Sequence, residues 1–213
     1  MYFRHPSPAL NQLFALRPFQ GTAPEEAQFI FLGLDANFDQ EIEENPVFSK
    51  VLEYLQDGVG FWRKYGVHHP FLLPEYRGDG RFYHKTFSRI GFTSSHAAKV
   101  CFIELLHIPT IGRSALASTD LDRVHLRRIS NAILEGEAQC IFVPAGVARL
   151  MRASGEFPWM PRTPKADVTP LSIWRREERK TVFSHLHFSV YGKYEQQKSE
   201  EILAIRALIP KGI

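Results

Sequence analysis

Cysteine is scarce in this chain: there are two in 213 residues, Cys101 and Cys140. Two thiols exclude a four-thiolate zinc or iron–sulfur site within one chain. Both sit inside apolar runs, which suits free buried thiols in a reducing compartment better than a disulfide framework. Long apolar runs are lacking too. No stretch approaches the roughly 20 residues of a membrane-spanning helix, and the opening residues, MYFRHPSPAL, have no secretory apolar segment. No membrane partner is therefore expected, and a cytoplasmic location is. Charge of one sign is also missing: 26 Lys plus Arg stand against 23 Asp plus Glu, a formal +3 with an isoelectric point near 8.9. That balance admits a polyanionic partner but has no basic arm. Low-complexity sequence is sparse, and the two loop-like pieces, 58–80 rich in Pro, Gly and His and 158–170 studded with Pro, are too short to read as domain linkers. With 44% hydrophobic and 23% charged residues, the whole chain, 1–213, reads as one domain, and a monomer is expected.

What is present is a repeated strand signal. Four short runs rich in β-formers, QFIFLGL from Gln28, KVCFIELL from Lys99, QCIFVPA from Gln139 and TVFSHLHF from Thr181, are near-continuously apolar, as strands buried on both faces are. Between them lie segments with helical spacing: NPVFSKVLEYLQ, DGRFYHKTFSRIG and STDLDRVHLRRISNAILEGE. The last takes Ser118 or Thr119 as its N-cap, has Asp120 and Asp122 in its first turn and ends near Gly136. Strand, helix, strand in alternation predicts an α/β fold, a parallel sheet with helices on both faces. HPSP at 5–8 reads as a turn leading into a helix with Asn11 in its first turn, and EEILAIRALIP near the end reads as an amphipathic helix on the sheet's flank.

In open parallel sheets, ligands bind at the carboxyl ends of the strands, where crossover loops leave a crevice. After the first run come Asp35 and Asn37. At the end of the second, Glu104 and His107 precede IPTIGRS; after the third come Pro144 and Gly146; at the end of the fourth come His185, His187 and Ser189. An Asp after a strand is commonly a turn residue, and a strand histidine is commonly a hydrogen-bonded core residue. Their coincidence at the ends of separate strands points instead to a site.

Five segments, in order and type, resemble the uracil-DNA glycosylase superfamily, and more closely its mismatch-specific uracil/thymine branch. FIFLGLDANFD resembles the first motif, a strand followed by Gly, a variable residue, Asp or Asn, and Pro. GDGRFYHKTFSRIGFTSS is similar to that branch's helix with an NRFW start. CFIELLHIPTIGRS resembles its second strand and the following loop, CIFVPAGVARLM its strand-Gly-helix, and FSHLHFSVYGK its terminal HPSPLS motif. The resemblance implies a three-layer α/β/α domain around a four-stranded parallel sheet. It implies hydrolysis of the bond joining a base to deoxyribose after the nucleotide is swung out of DNA that contains a damaged or mismatched base, with no cofactor. Such chemistry needs a carboxylate near C1′ to orient water and a donor for the departing base oxygen. The matching positions are Asp35 and His187. Asn37, Tyr76 and Glu104 fall where the base would be held, with Phe48 and Phe71 as alternative stacking platforms to Tyr76. Arg113, Ser114 and Ser189 fall where DNA would be gripped, and Tyr191 where the family carries a wedge into the vacated stack.

The departures carry expectations of their own. Ala36 and Phe188 stand where the family has prolines, so both loops are expected to differ in shape. Glu104 stands where several members read uracil with Asn, and an ionised carboxylate only accepts hydrogen bonds. A carboxylate facing uracil O4 would be repulsive, which predicts poor uracil removal and preference for a deaminated or oxidised purine if Glu104 faces the pocket; the alternative is that Glu104 points away or carries a proton.

Two other functions stay open. His185 and His187 lie on one side of a strand and, with Asp35 or Glu104, would make a metal-dependent phosphoesterase. A catalytically inactive DNA-binding relative is the other. Ser189 lacks the G-x-S-x-G elbow of a serine hydrolase. WRREERK from Trp174 reads as a solvated face, with Arg149 and Arg152 adding to a basic surface, and GVHHPF with His68 and His69 reads as a loop and not a ligand pair.

Overall fold

The computed structural model describes residues 2–112, 115–167 and 170–210. In chain order its strands are β1 (Phe3–Arg4), β2 (Phe19–Gly21), β3 (Phe29–Gly33), β4 (Ala36–Asn37), β5 (Val100–Glu104), β6 (Pro109–Ile111), β7 (Cys140–Pro144), β8 (Ser172–Arg176) and β9 (Thr181–His185). Its α-helices are α1 (Pro8–Leu16), α2 (Phe48–Gln56), α3 (Gly58–Tyr65), α4 (Arg81–Ser88), α5 (Arg123–Glu135), α6 (Ala145–Ser154) and α7 (Glu195–Ala207). None of the described helices is long and apolar enough to cross a membrane.

Six strands form one sheet in the order β2-β5-β3-β7-β9-β8. The four apolar runs are its centre, mutually parallel, and the edges β2 and β8 run antiparallel to their neighbours. The expected four-stranded sheet is therefore corrected to six strands, accompanied by a second, three-stranded sheet in the order β1-β6-β4. The edges escape a search for apolar runs because β2 has three residues and β8 is the mixed SIWRR. Trp174, read as part of a solvated face, is buried in the core; only Arg176 and the turn that follows are exposed.

Side-chain alternation sorts the central strands into two chemically distinct faces. Phe29, Phe31, Phe102, Phe142 and Phe183 pack into one cluster with Phe87, Phe92 and Phe188. Phe31 is its hub, stacked on Phe142 at 4.7 Å and on Phe102 at 5.6 Å. Ile30, Leu32, Cys101, Ile103, Ile141, Val143 and Val182 make the opposite, aliphatic face. Leu126, Ile129 and Ile133 of α5 and Val147 and Met151 of α6 cover the aliphatic face. Trp62 of α3, Phe87 of α4 and Ile202 and Ile205 of α7 cover the aromatic one. Helices thus lie on both sides of the sheet, as an α/β fold requires.

One helix boundary and one whole helix differ from the sequence reading. The N-cap of α5 is Asp122, whose carboxylate accepts the His125 N–H at 2.7 Å; Ser118–Asp120 form a separate 3-10 turn. Within the segment read as a loop, α3 forms despite Gly58 and Gly60, because Asp57 caps it through the Gly60 N–H at 2.8 Å and its Phe61 and Trp62 are buried. A third cluster, with Phe14, Phe38, Tyr54, Phe71 and Tyr76, joins α1, α2 and the adjoining loops.

Candidate active site

β3 and β5 end side by side, with Gly33 opposite Glu104 in parallel register. Beyond Gly33 the chain leaves the large sheet and pairs Ala36 and Asn37 with Pro109 and Thr110 of the small one. Asp35 therefore occupies the step between two sheets. The buried Thr110 hydroxyl donates a short hydrogen bond to Asp35 Oδ2. Thr110 in turn accepts from Asn37 Nδ2 at 3.1 Å, and the same amide reaches the Gly112 carbonyl at 2.5 Å.

Asp35, Asn37, Glu104 and His187 line a single cavity of about 170 Å³. The acid of the first central strand and the imidazole beyond the last thus meet at the same rim of the sheet, as their positions after β3 and β9 predict. The cavity lies below the roughly 300–1,000 Å³ typical of drug-sized ligands, so it suits a small planar group.

Glu104 reaches this cavity because position 33 is glycine. A Cβ there would overlap the Glu104 carboxyl group, which consequently lies directly over the β3 backbone. Burial, and then the Asp35 carboxylate, push the Glu104 carboxyl up to about 8. At neutral pH it carries a proton and offers one O–H donor beside one C=O acceptor. The expected repulsion of uracil O4 presumed an ionised Glu104 and does not apply to this neutral acid.

His187 lies two residues past β9, in a loop anchored by Phe188, which is buried against Phe31, Tyr83 and Phe87. The aromatic residue in place of proline thus roots the loop in the core. His187 Nδ1 accepts the Ser189 N–H at 3.3 Å, which puts the proton of a neutral ring on Nε2. Burial lowers the His187 pKa, against the upward pull of Asp35, so the ring is a neutral donor at pH 7.

The remaining candidates divide. Ser189 and Tyr191 are exposed beside the His187 loop. Tyr76 does not line this cavity: it is buried, stacked on Phe71 at 4.1 Å, and its hydroxyl donates to the Asp79 carbonyl at 2.5 Å. Phe71, the alternative platform, does line it. Phe48 packs at the margin of the third cluster. Arg113 and Ser114 lie outside the described residues. His185 is not among the lining residues; it is buried 4.8 Å from Phe188, where burial takes it down to about 3. The His185/His187 pair therefore does not converge, and among the described residues no group of three or more His, Cys, Asp or Glu side chains is arranged to hold a metal ion.

A scan against protein-family models finds no match, and a search of curated proteins finds no similar sequence.

Several lining residues were not read as site residues: Gln20, Phe38, His69, Tyr83 and His84. His69 and His84 stack face to face at 3.6 Å, and His84 Nδ1 lies 3.1 Å from His68 Nε2. Burial holds His68 and His69 well below the usual histidine range and takes His84 down to about 3, so this wall is made of neutral rings. Phe38, three residues after Asp35, and the adjacent Tyr83 and His84 of α4 fall inside segments already singled out and could have been found there. Gln20, on a three-residue edge strand, gave no signal.

Proposed function

We propose that this chain hydrolyses the N-glycosidic bond of an extruded, damaged or deaminated DNA base. The observation that carries this reading is the cavity shared by Asp35, Glu104 and His187. Asp35 holds the attacking water at C1′, takes up its proton and offsets the positive charge that develops on the sugar. The C1′–N bond breaks with its electron pair leaving on the base, and the Nε2–H of neutral His187 donates to a base oxygen as that charge builds. Neutral Glu104 donates to a carbonyl and accepts from an adjacent ring N–H. Uracil and hypoxanthine both present that pair of groups, so both are substrates in this reading. Phe38 and Phe71, edge to face at 6.1 Å, form one aromatic wall for the base to pack against. The two free cysteines fit a reducing, cytoplasmic setting.

Single-turnover excision from oligonucleotides carrying uracil, hypoxanthine, xanthine or an oxidised purine tests the reading. Release of at least one base is expected, with Asp35→Asn slowing it by about 10²–10⁴-fold and leaving DNA affinity intact. An inert wild-type protein, or an Asp35→Asn variant as fast as wild type, refutes it.

A further inference from the structure

Two surfaces of different chemistry adjoin the cavity. On one side the cavity adjoins a second recess through Asn37, Phe38 and Phe71, and that recess is lined by Asp39, Glu41 and Asp79. Beyond Gly80, which lines that recess and caps α4, α4 and the segment after β9 present three aromatic rings to solvent: Phe82 is 50%, Tyr191 78% and Tyr194 42% exposed. Among the described residues Phe3 is the one other aromatic side chain so exposed.

One buried cation, Lys198, ties the Phe82 ring to the backbone and side chain beside the other two. Lys198 Nζ sits 4.7 Å from the centre of the Phe82 ring, 2.5 Å from the Val190 carbonyl and 2.7 Å from Glu195 Oε2. Tyr191 follows Val190, and Tyr194 precedes Glu195. The patch is continuous with the cavity, because Tyr83, the neighbour of Phe82, lies 5.2 Å from the His187 ring. Its cations face solvent: Lys193 lies 5.1 Å over Tyr194, Lys85 is exposed one turn from Phe82, and the carboxylate of Glu195 is matched by Lys198 and Arg89. Exposed rings interleaved with lysines are a stacking surface for unpaired bases, whose faces are free, whereas a duplex hides those faces in its own stack. A second phosphate strand laid over the mouth would have to pass the carboxylates of the adjoining recess.

We infer that this rim binds single-stranded DNA, with bases flanking the extruded nucleotide stacked on Phe82, Tyr191 and Tyr194 and phosphates met by Lys85 and Lys193. The direction of the strand across the cavity rests on the proposed glycosylase reading; the binding itself does not.

Fluorescence anisotropy of the full chain with a lesion-free labelled oligonucleotide tests it, comparing the single strand with its duplex at one salt concentration. The single strand is expected to bind at least about tenfold tighter, and Phe82→Ala and Tyr194→Ala each to weaken it by about 5- to 100-fold. Leu203→Ala, exposed elsewhere on α7, should bind as wild type. Lys193→Glu, which leaves the rings in place, should weaken binding and flatten its salt dependence. Equal or tighter duplex binding, wild-type affinity in both ring variants, or tighter binding of the matching RNA strand would each overturn the inference. Because no step scores excision, a protein that binds single strands and removes no base overturns the glycosylase reading alone.

Discussion

Glu104 is the residue at which local environment changes chemistry most. An ordinary glutamate would be ionised at pH 7; this one is held neutral by burial and by Asp35, with its pKa raised to about 8 from 4.5. The folded chain therefore keeps a proton that the unfolded chain releases. The stability that proton contributes is fully present below about 4.5 and is lost as pH rises to about 8. Glu104→Gln keeps the donor and acceptor without the titration, so its unfolding free energy should match wild type near pH 4.5 and exceed it increasingly up to pH 8, by about 4 kcal/mol there. Calorimetry of the pair across that range checks this; parallel curves would mean an ionised Glu104. The position of Glu104 was legible from the ordering of the strands. Its protonation was not, because it follows from burial and from Asp35, which stands 69 residues earlier in the chain.

Elements place these groups through pairings that a single residue does not reveal. Gly33 on β3 and Glu104 on β5 compete for one volume. Gly33→Ala should cost about 1–3 kcal/mol through overpacking, and adding Glu104→Ala should recover most of that loss. A denaturant double-mutant cycle reads the coupling, and additive losses would place the carboxyl elsewhere. The His187 loop is fixed from outside in a similar way. The Leu186 N–H donates to Glu201 Oε2 at 2.6 Å and Lys198 Nζ donates to the Val190 carbonyl at 2.5 Å, both side chains being buried on α7. The reading of EEILAIRALIP as an amphipathic helix on the sheet's flank covers the buried Ile202 and Ile205 but assigns no role to these two polar supports. Periodicity identifies which face is buried and says nothing of which carbonyl or N–H a buried charge will meet.

For the whole molecule, histidine burial sets the acid limit of stability. His68, His69, His84, His125, His185 and His187 are all held below the ordinary 6.5, with burial the leading cause in each. Below about pH 6.5 the unfolded chain takes up protons that the folded chain refuses, so stability falls as pH drops, by up to about 1.4 kcal/mol per pH unit for each ring. Glu104 and Glu201, both raised, pull the other way but are outnumbered. Urea midpoints should therefore fall steeply from pH 7 to pH 5, and a flat profile would show the rings to be solvated.

The sequence by itself determined the four central strands, their parallel order of appearance and the rim at which Asp35 and His187 meet, because a strand buried on both faces must be apolar throughout and a crossover fold puts every strand's carboxyl end on one side. Only the tertiary structure decided the antiparallel edges, the small sheet that pins Asp35 through Thr110, the neutral state of Glu104 and the wall of stacked imidazoles. Those features depend on distances between segments far apart in the chain and on the exclusion of water, neither of which local pattern encodes.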